Sequence, residues 1–251
     1  MFARSLDDLS PEELSRLELK NLKDRRLIAN RPATTELQDY FRIKRHQENS
    51  LIQRAGELCS EVHFIGRGRV RLRSRIEARG EALVDLLGPG DFFGNLSVHS
   101  AIRGAESAYV DAGSEIWTLD AATFQTLLGA RSKFAQEVCQ AQHERVCHQR
   151  QRMSRLTTRD VPSRLMWALV DLCERFGVPH PTTGAIALSG MTQQDLAEYI
   201  GSVRTFVSSI VGDLKRSGIV TLIGHTLHVQ NRCRLYELAE VELPEAVDSN
   251  R

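Results

Sequence analysis

Along residues 191–229 the apolar positions change period, from helical to alternating. Leu196, Ala197 and Ile200 share one helical face, and Thr192 with Asp195 three residues later forms an imperfect capping box, Asp standing where Glu or Gln is usual. Gly201 permits the left-handed backbone that ends a helix, and Ser202 is read as the cap of the next. In that second helix Val207, Ile210, Val211 and Leu214 form an apolar stripe, and Gly218 closes it. Ile219-Val220-Thr221-Leu222 and Thr226-Leu227-His228-Val229, split by Ile223-Gly224-His225, then read as a hairpin. Helix, tight turn, helix and hairpin in that order predict a winged helix-turn-helix.

Upstream the texture differs. Leu51-Ile52, Val62 to Ile65, Val70 to Leu72, Ala82 to Leu87 and Asp91 to Phe93 are short apolar runs separated by glycines at 56, 66, 68, 80, 88, 90, 94, 104 and 113. Such spacing predicts an antiparallel β-roll, jelly-roll-like, with Ile116-Trp117-Thr118-Leu119 as a closing strand and a helix from Ala121 to Leu128. Before it, Ser10-Pro11-Glu12-Glu13-Leu14 opens a short capped helix carrying Leu14, Leu17 and Leu22.

From Ser132 to Leu156 neither Gly nor Pro occurs. Ala135, Cys139, Gln142, Val146, Gln149, Met153 and Leu156 repeat at four-three spacing, a heptad seam with polar breaks, while Phe134, Val138 and Ala141 suit packing on the roll. A helix with two usable faces predicts a parallel homodimer, against the plainer reading of a surface helix on its own roll. Asp160 is the N-cap of a further helix with Pro162 in its first turn, and is read as the hinge; Leu165, Leu169 and Leu172 line one side of that helix. The expected organisation is therefore α+β: a helical extension over 1–39, a β-roll sensor over 40–130, the long dimerisation helix and hinge over 131–159, a winged helix-turn-helix over 160–240 and a tail over 241–251.

The exposed face of the second short helix carries Arg204, Thr205, Ser208 and Ser209, short polar groups with one cation and no carboxylate. Such a face can enter a DNA major groove without repelling phosphates, and Arg204 can contact guanine O6 and N7 in bidentate fashion. Thr192 and Ser202 are assigned to phosphates, and Gln193, Gln194 and Val203 complete the expected DNA-facing set. The bland alternative is a helical hairpin in an ordinary core. Net charge does not decide, since 33 Lys and Arg stand against 32 Asp and Glu. The charge is uneven, though: Arg131, Lys133, Arg145, Arg150, Arg152, Arg155 and Arg159 face only Glu137 and Glu144 in that stretch. No apolar run is long enough to span a membrane and no signal peptide opens the chain; five cysteines without C-x-x-C pairs suit a reducing cytoplasm. Nucleophile elbow, phosphate-binding Gly loop and metalloprotease motif are all missing, which argues against an enzyme.

Gly56-Glu57, the run from Phe64 through Gly66-Arg67-Gly68 to Val70, Gly90-Asp91-Phe92-Phe93-Gly94 and Ile200-Gly201-Ser202-Val203-Arg204, in this order between Tyr40 and Tyr236, resemble the cyclic-AMP receptor protein and fumarate-nitrate regulator (Crp/Fnr) family of bacterial transcription factors. The resemblance implies a cyclic-nucleotide-binding-type roll, a homodimer, a pseudo-palindromic double-stranded DNA site and RNA polymerase as a candidate partner. It also exposes departures. Where the family's ligand pocket has a Gly-Glu pair, this chain has Gly94-Asn95, followed by Leu96; where the family has Arg-Ser for the phosphate, it has Glu106-Ser107; where the family's long helix supplies Thr-Ser, it has Gln149-Arg150. A carboxylate placed against a phosphate costs on the order of several kcal/mol at about 4 Å. Arg103 lies three residues off the pattern. The pocket is thus expected to be degenerate, with no ordinary cyclic-AMP response. In the reading helix, Thr205 and Ser209 replace an acidic residue and an arginine common in the family.

No cofactor is predicted. The alternative is a redox-, haem- or gas-responsive regulator, in which Cys59, His63 and His99 of the roll, or Cys139, His143 and Cys147 along one stripe of the long helix, would act as ligands or a redox pair. No cysteine precedes Cys59, which argues against an N-terminal iron-sulfur cluster.

Overall fold

The computed structural model describes residues 40–76, 80–97, 101–129, 133–180, 183–224 and 226–242. The helix expected from Ser10 lies outside them. The chain divides into two compact units, residues 1–148 and 149–251.

In the first unit ten antiparallel strands build the roll: β1 (Arg42–His46), β2 (Ser50–Gln53), β3 (Leu58–Cys59), β4 (Glu61–Arg67), β5 (Val70–Ile76), β6 (Gly80–Leu87), β7 (Phe92–Gly94), β8 (Ile102–Arg103), β9 (Ser107–Val110) and β10 (Ser114–Asp120). They form one sheet in the order β1-β10-β4-β7, a second in the order β2-β9-β5-β6, and the small pair β3-β8. Helices α1 (Ala121–Gly129) and α2 (Lys133–Thr158) follow.

The core has two layers because β4 and β10 are buried on both faces. Successive side chains of a strand point to opposite sides. Val62 and Phe64 of β4 therefore join Trp117 and Leu119 of β10 against Phe124 and Leu127 of α1 and Phe134, Val138 and Ala141 of α2. Ile65 and Ile116 point the other way, into the roll, with Val70, Leu72, Leu87, Phe93, Ala108 and Val110. Phe64 is the hub of the first layer, its ring centroid 5.3 Å from Phe41, 5.2 Å from Phe92 and 6.3 Å from Phe134.

The second unit begins with the last turns of α2. Helix α3 (Val161–Phe176) starts at Asp160, whose carboxylate accepts from the Ser163 backbone N–H at 2.9 Å, with Pro162 in the first turn. Strands β11 (Val178–Pro179), β12 (Ile186–Leu188), β13 (Val220–Ile223) and β14 (Thr226–Val229) form a sheet ordered β11-β12-β14-β13. Between β12 and β13 lie α4 (Gln193–Tyr199) and α5 (Arg204–Arg216), and α6 (Arg232–Ala239) closes the described chain. Leu165, Leu169 and Leu172 of α3 are fully buried, as are Val207 of α5 and Tyr236 of α6.

Two local expectations change. The capping box at Thr192 is complete: its hydroxyl accepts from the Asp195 N–H while the Asp195 carboxylate accepts from the Thr192 N–H at 3.0 Å. Asp reaches because Asp195 is itself buried beneath the turn. Ser202, by contrast, is not the cap of α5. The cap position is Val203, which makes no side-chain cap bond. Gly201 at φ +62° turns the chain so that the Ser202 N–H returns to the Ala197 carbonyl at 2.8 Å, which moves the helix start one residue on.

Gly94 sits at φ +102°, and a Cβ there would overlap the carbonyl oxygen of Glu61 on the paired strand. Gly94→Ala is expected to destabilise the first unit by roughly 1–3 kcal/mol from the backbone alone, with the overlap added. Differential scanning calorimetry checks this, and an unchanged melting profile would contradict the strain.

Candidate nucleic-acid interface and effector pocket

Helix α5 packs through Val207, Val211 and Leu214, all buried, and that stripe decides which side chains face outward. Arg204, Thr205, Phe206, Ser208 and Ser209 are exposed; Ser202 is half-buried and Val203 exposed. Met191, Thr192, Gln193 and Gln194 line one cleft with Arg204, so the start of α4 and the start of α5 meet there. Within the cleft several groups are already committed. The Thr192 hydroxyl belongs to the capping box, and the Gln194 amide donates to Glu198 at 2.8 Å. Arg204, Thr205, Ser208 and Ser209 form the continuous polar part of the face.

The helix pair is held from behind at Tyr199. Its hydroxyl donates to the Asp171 carboxylate at 3.0 Å, and the Arg152 guanidinium lies 4.2 Å over its ring and donates from Nε to its carbonyl at 3.0 Å. Burial, with the Asp171 charge adding to it, pushes the Tyr199 phenol far up, so it stays a donor. Arg175 lies 3.7 Å from the same carboxylate.

On α2, Phe134, Val138 and Ala141 are buried in the roll's aromatic layer. Of the seam positions, Cys139, Val146, Gln149 and Met153 are exposed and Ala135, Gln142 and Leu156 half-buried. Met153 at 62% and Val146 at 40% are large apolar groups left open to solvent seven residues apart.

Two of the expected pocket residues, Asn95 and Ser107, have their side chains bonded to neighbours. Asn95 is fully buried; its side-chain oxygen accepts from the Ser97 N–H and hydroxyl, and its own N–H donates to the Glu61 carbonyl at 2.8 Å. Ser107, also fully buried, accepts from the Ala55 N–H and donates to Glu81 at 2.6 Å; the Tyr109 hydroxyl donates to the other oxygen of Glu81 at 2.8 Å. The Ser107 bond holds the Glu81 carboxyl below its usual range. Glu106 is half-buried, with its carbonyl accepting from Gln53 at 3.2 Å, and Leu96 packs at the edge of the aromatic layer. Arg103 donates to the Gly56 carbonyl at 2.8 Å. Further along β6, buried Asp85 pairs with Arg145 of α2 at 3.1 Å, and Arg145 also donates to the Phe92 carbonyl at 3.2 Å. Gln149 and Arg150 are exposed residues of the second unit. Sequence reasoning gives Glu81 and Asp85 no role and Arg145 only a place in a basic stretch, although a lone carboxylate in Ala82-Leu83-Val84-Asp85-Leu86-Leu87 signals a buried partner.

Residues 43–131 match the cyclic nucleotide-binding domain family, and residues 163–238 match the Crp-like helix-turn-helix domain. A global nitrogen regulator of Synechocystis sp. is 30% identical over 178 residues, covering 70% of this chain and 79% of that relative. The chain belongs to the Crp/Fnr family. The cAMP-activated global transcriptional regulator Vfr of Pseudomonas aeruginosa is 27% identical over 192 residues, covering 74% of this chain and 88% of Vfr. Among solved structures, FixK2 of Bradyrhizobium japonicum shares the fold at a TM-score of 0.67 with 20% identity, over 81% of this chain and 98% of FixK2. Members of the Crp/Fnr family are transcription regulators and not enzymes, and this chain carries the family's DNA-binding domain.

Of the cysteines and histidines considered as ligands, Cys59 and His63 have other partners in this Crp/Fnr chain. Cys59 donates to Gln53 and to the Glu61 carbonyl, both at 3.3 Å. His143 and Cys147 lie 3.5 Å apart on α2, while His99 lies outside the described residues. Among the described residues no three His, Cys, Asp or Glu side chains are placed to hold a metal ion, and no helix is long and apolar enough to cross a membrane.

His63 pairs across the sheet with Thr118, bonding its hydroxyl at 2.9 Å, and lies against Phe93. Burial lowers its pKa to about 4, only partly opposed by Glu61. The unfolded imidazole takes a proton near the ordinary value of about 6.5 and the folded one does not. Stability of the first unit is therefore present above pH ~6.5 and falls on acidification towards pH ~4, by on the order of 3 kcal/mol. His63→Gln is expected to flatten that slope in denaturant titrations; parallel curves for the two proteins would show that another group titrates.

Proposed function

We propose that this Crp/Fnr regulator acts as a homodimer that reads a pseudo-palindromic DNA site through the exposed face of α5, without cyclic AMP as its switch. The observation that carries the reading is the alignment of Arg204, Thr205, Ser208 and Ser209 on one exposed face, with no carboxylate in the first two turns, beside the cleft at the start of α4. Arg204 reads a guanine in each half-site, and the helix starts sit over phosphates. The exposed Val146 and Met153, with Cys139 at the same heptad spacing, support a parallel pairing of α2. Two copies then present two reading helices, matching the two-fold symmetry of such sites. The protein is accordingly placed with DNA in the cytoplasm.

Vfr is named for activation by cAMP. Several features weigh against that ligand here. Asn95 is buried and bonded to Ser97, Glu106 stands where the family binds phosphate, and Glu81 takes the Ser107 hydroxyl. A phosphate entering there meets carboxylates in place of a guanidinium. The sensory unit either serves a different small molecule or holds α2 in one state without a ligand; the bonds already made by Asn95, Ser107 and Glu81 favour the second.

Three outcomes are expected. Isothermal titration with cyclic AMP or cyclic GMP gives no micromolar binding, and such binding would overturn the pocket reading. Arg204→Ala costs roughly 1–3 kcal/mol per half-site and relaxes preference at one symmetric base pair, as read by competition mobility shifts; equal loss on every sequence would make Arg204 a phosphate contact. Met153→Glu weakens self-association in sedimentation equilibrium while the two units keep their melting transitions.

A further inference from the structure

Two large apolar side chains stand in solvent at the tip of α5: Val203 is 64% exposed and Phe206 is 49% exposed. Neither belongs to the buried core. The core side of α5 is filled by Val207, Val211 and Leu214. Val203 occupies the cap position with no side-chain bond, where Ser, Thr, Asp or Asn would stabilise the helix. The free protein thus forgoes a cap and leaves apolar surface wet at the same spot, within its DNA-facing element.

We propose that Phe206, flanked by Val203, specifies a thymine in the half-site whose guanine Arg204 reads, its ring packing on the thymine 5-methyl group. This rests on the DNA-reading function proposed above. The groove edge of a base pair offers donors, acceptors and a single apolar feature, the thymine methyl, so an apolar side chain inserted there has one complementary target. The occupant is a polyanion and not an apolar protein surface, because Arg204, Thr205, Ser208 and Ser209 share the exposed tip and an apolar partner would desolvate Arg204 without compensation. At 3.6 residues per turn Phe206 lies about 200° round the helix from Arg204, with Thr205 and Ser209 between them. The two side chains therefore border opposite edges of the reading face and address different base pairs. The uncapped N–H groups of the first turn complete the arrangement, since a helix start binds a phosphate.

The test selects binding sites from a random duplex pool with the full-length protein, then replaces each conserved thymine of the selected site by deoxyuridine, which removes only the methyl group. Removal at one symmetric thymine is expected to weaken binding of the unaltered protein about fourfold per half-site, the value of one buried methyl. Phe206→Ala is expected to keep the Arg204 guanine, lose the thymine preference in selection and bind both duplexes equally. Indifference of the unaltered protein to every such replacement overturns the proposal even if the variant fails to fold. So does a Phe206→Ala protein that still discriminates, or one whose affinity drops equally on all sequences, which would place the ring on sugar or on another protein copy. If selection with the unaltered protein enriches no motif, the DNA-reading function itself fails, a result separate from any of these.

Discussion

The buried contact between Tyr199 and Asp171 is the joint on which the placement of α5 depends. Tyr199 ends α4 immediately before the turn at Gly201, so whatever fixes its ring fixes where α5 begins. Its hydroxyl is tied to α3 and its ring and carbonyl to Arg152 near the end of the long helix. A phenol buried beside a carboxylate keeps its proton, so Tyr199 stays the donor of this bond. With α4 held on two sides, the stripe of Val207, Val211 and Leu214 sets the rotation of α5, and the polar face is what remains outside. The exposed polar set of α5 is thereby a result of core packing one turn away.

The roll follows the same logic at larger scale. Burial of β4 and β10 on both faces lets one strand pair close the barrel interior and also seat α1 and α2 through the rings around Phe64. The start of α2 is committed to that layer, which leaves its opposite side for a partner. Within the roll, polar groups have found each other: Ser107 and Tyr109 on Glu81, Asn95 on Ser97, Asp85 on Arg145. A polar site whose bonds are already made offers an incoming ligand little net gain, because every new bond replaces an existing one.

Elements with strong periodicity were legible in the sequence, and those without it were not. The apolar stripes of α3 and α5 and the runs of β4 and β6 state their own period. Strand β1 reads Arg-Ile-Lys-Arg-His and buries only His46, so no alternation marks it. Strands β3, β8, β11 and β12 have two or three residues each, too short for any pattern. Strand β9 carries Ser107 and Tyr109, whose partner Glu81 lies far off in the chain, and α6 buries only Leu235, Tyr236 and Ala239. Residue type pointed to Ser202 as a helix cap, but the backbone turn at Gly201 gave that place to Val203. The exposure of Arg204, Thr205, Ser208 and Ser209 was legible because it follows from helical period. The pocket was legible only as a set of departures, since the contacts that replace the lost ones join residues distant in sequence.

The Asp85–Arg145 pair has a consequence for how this protein can change over generations. Asp85 is 4% exposed, and replacing either member alone strands the other charge, at a cost of about 3–5 kcal/mol for a buried pair. Loss on that scale is comparable with much of a domain's net stability. Neither residue is readily replaced in a single step; the two must change together or be preceded by stabilising substitutions elsewhere. The ion pair thus works as a ratchet on inheritance, tying the fates of two positions far apart in the chain.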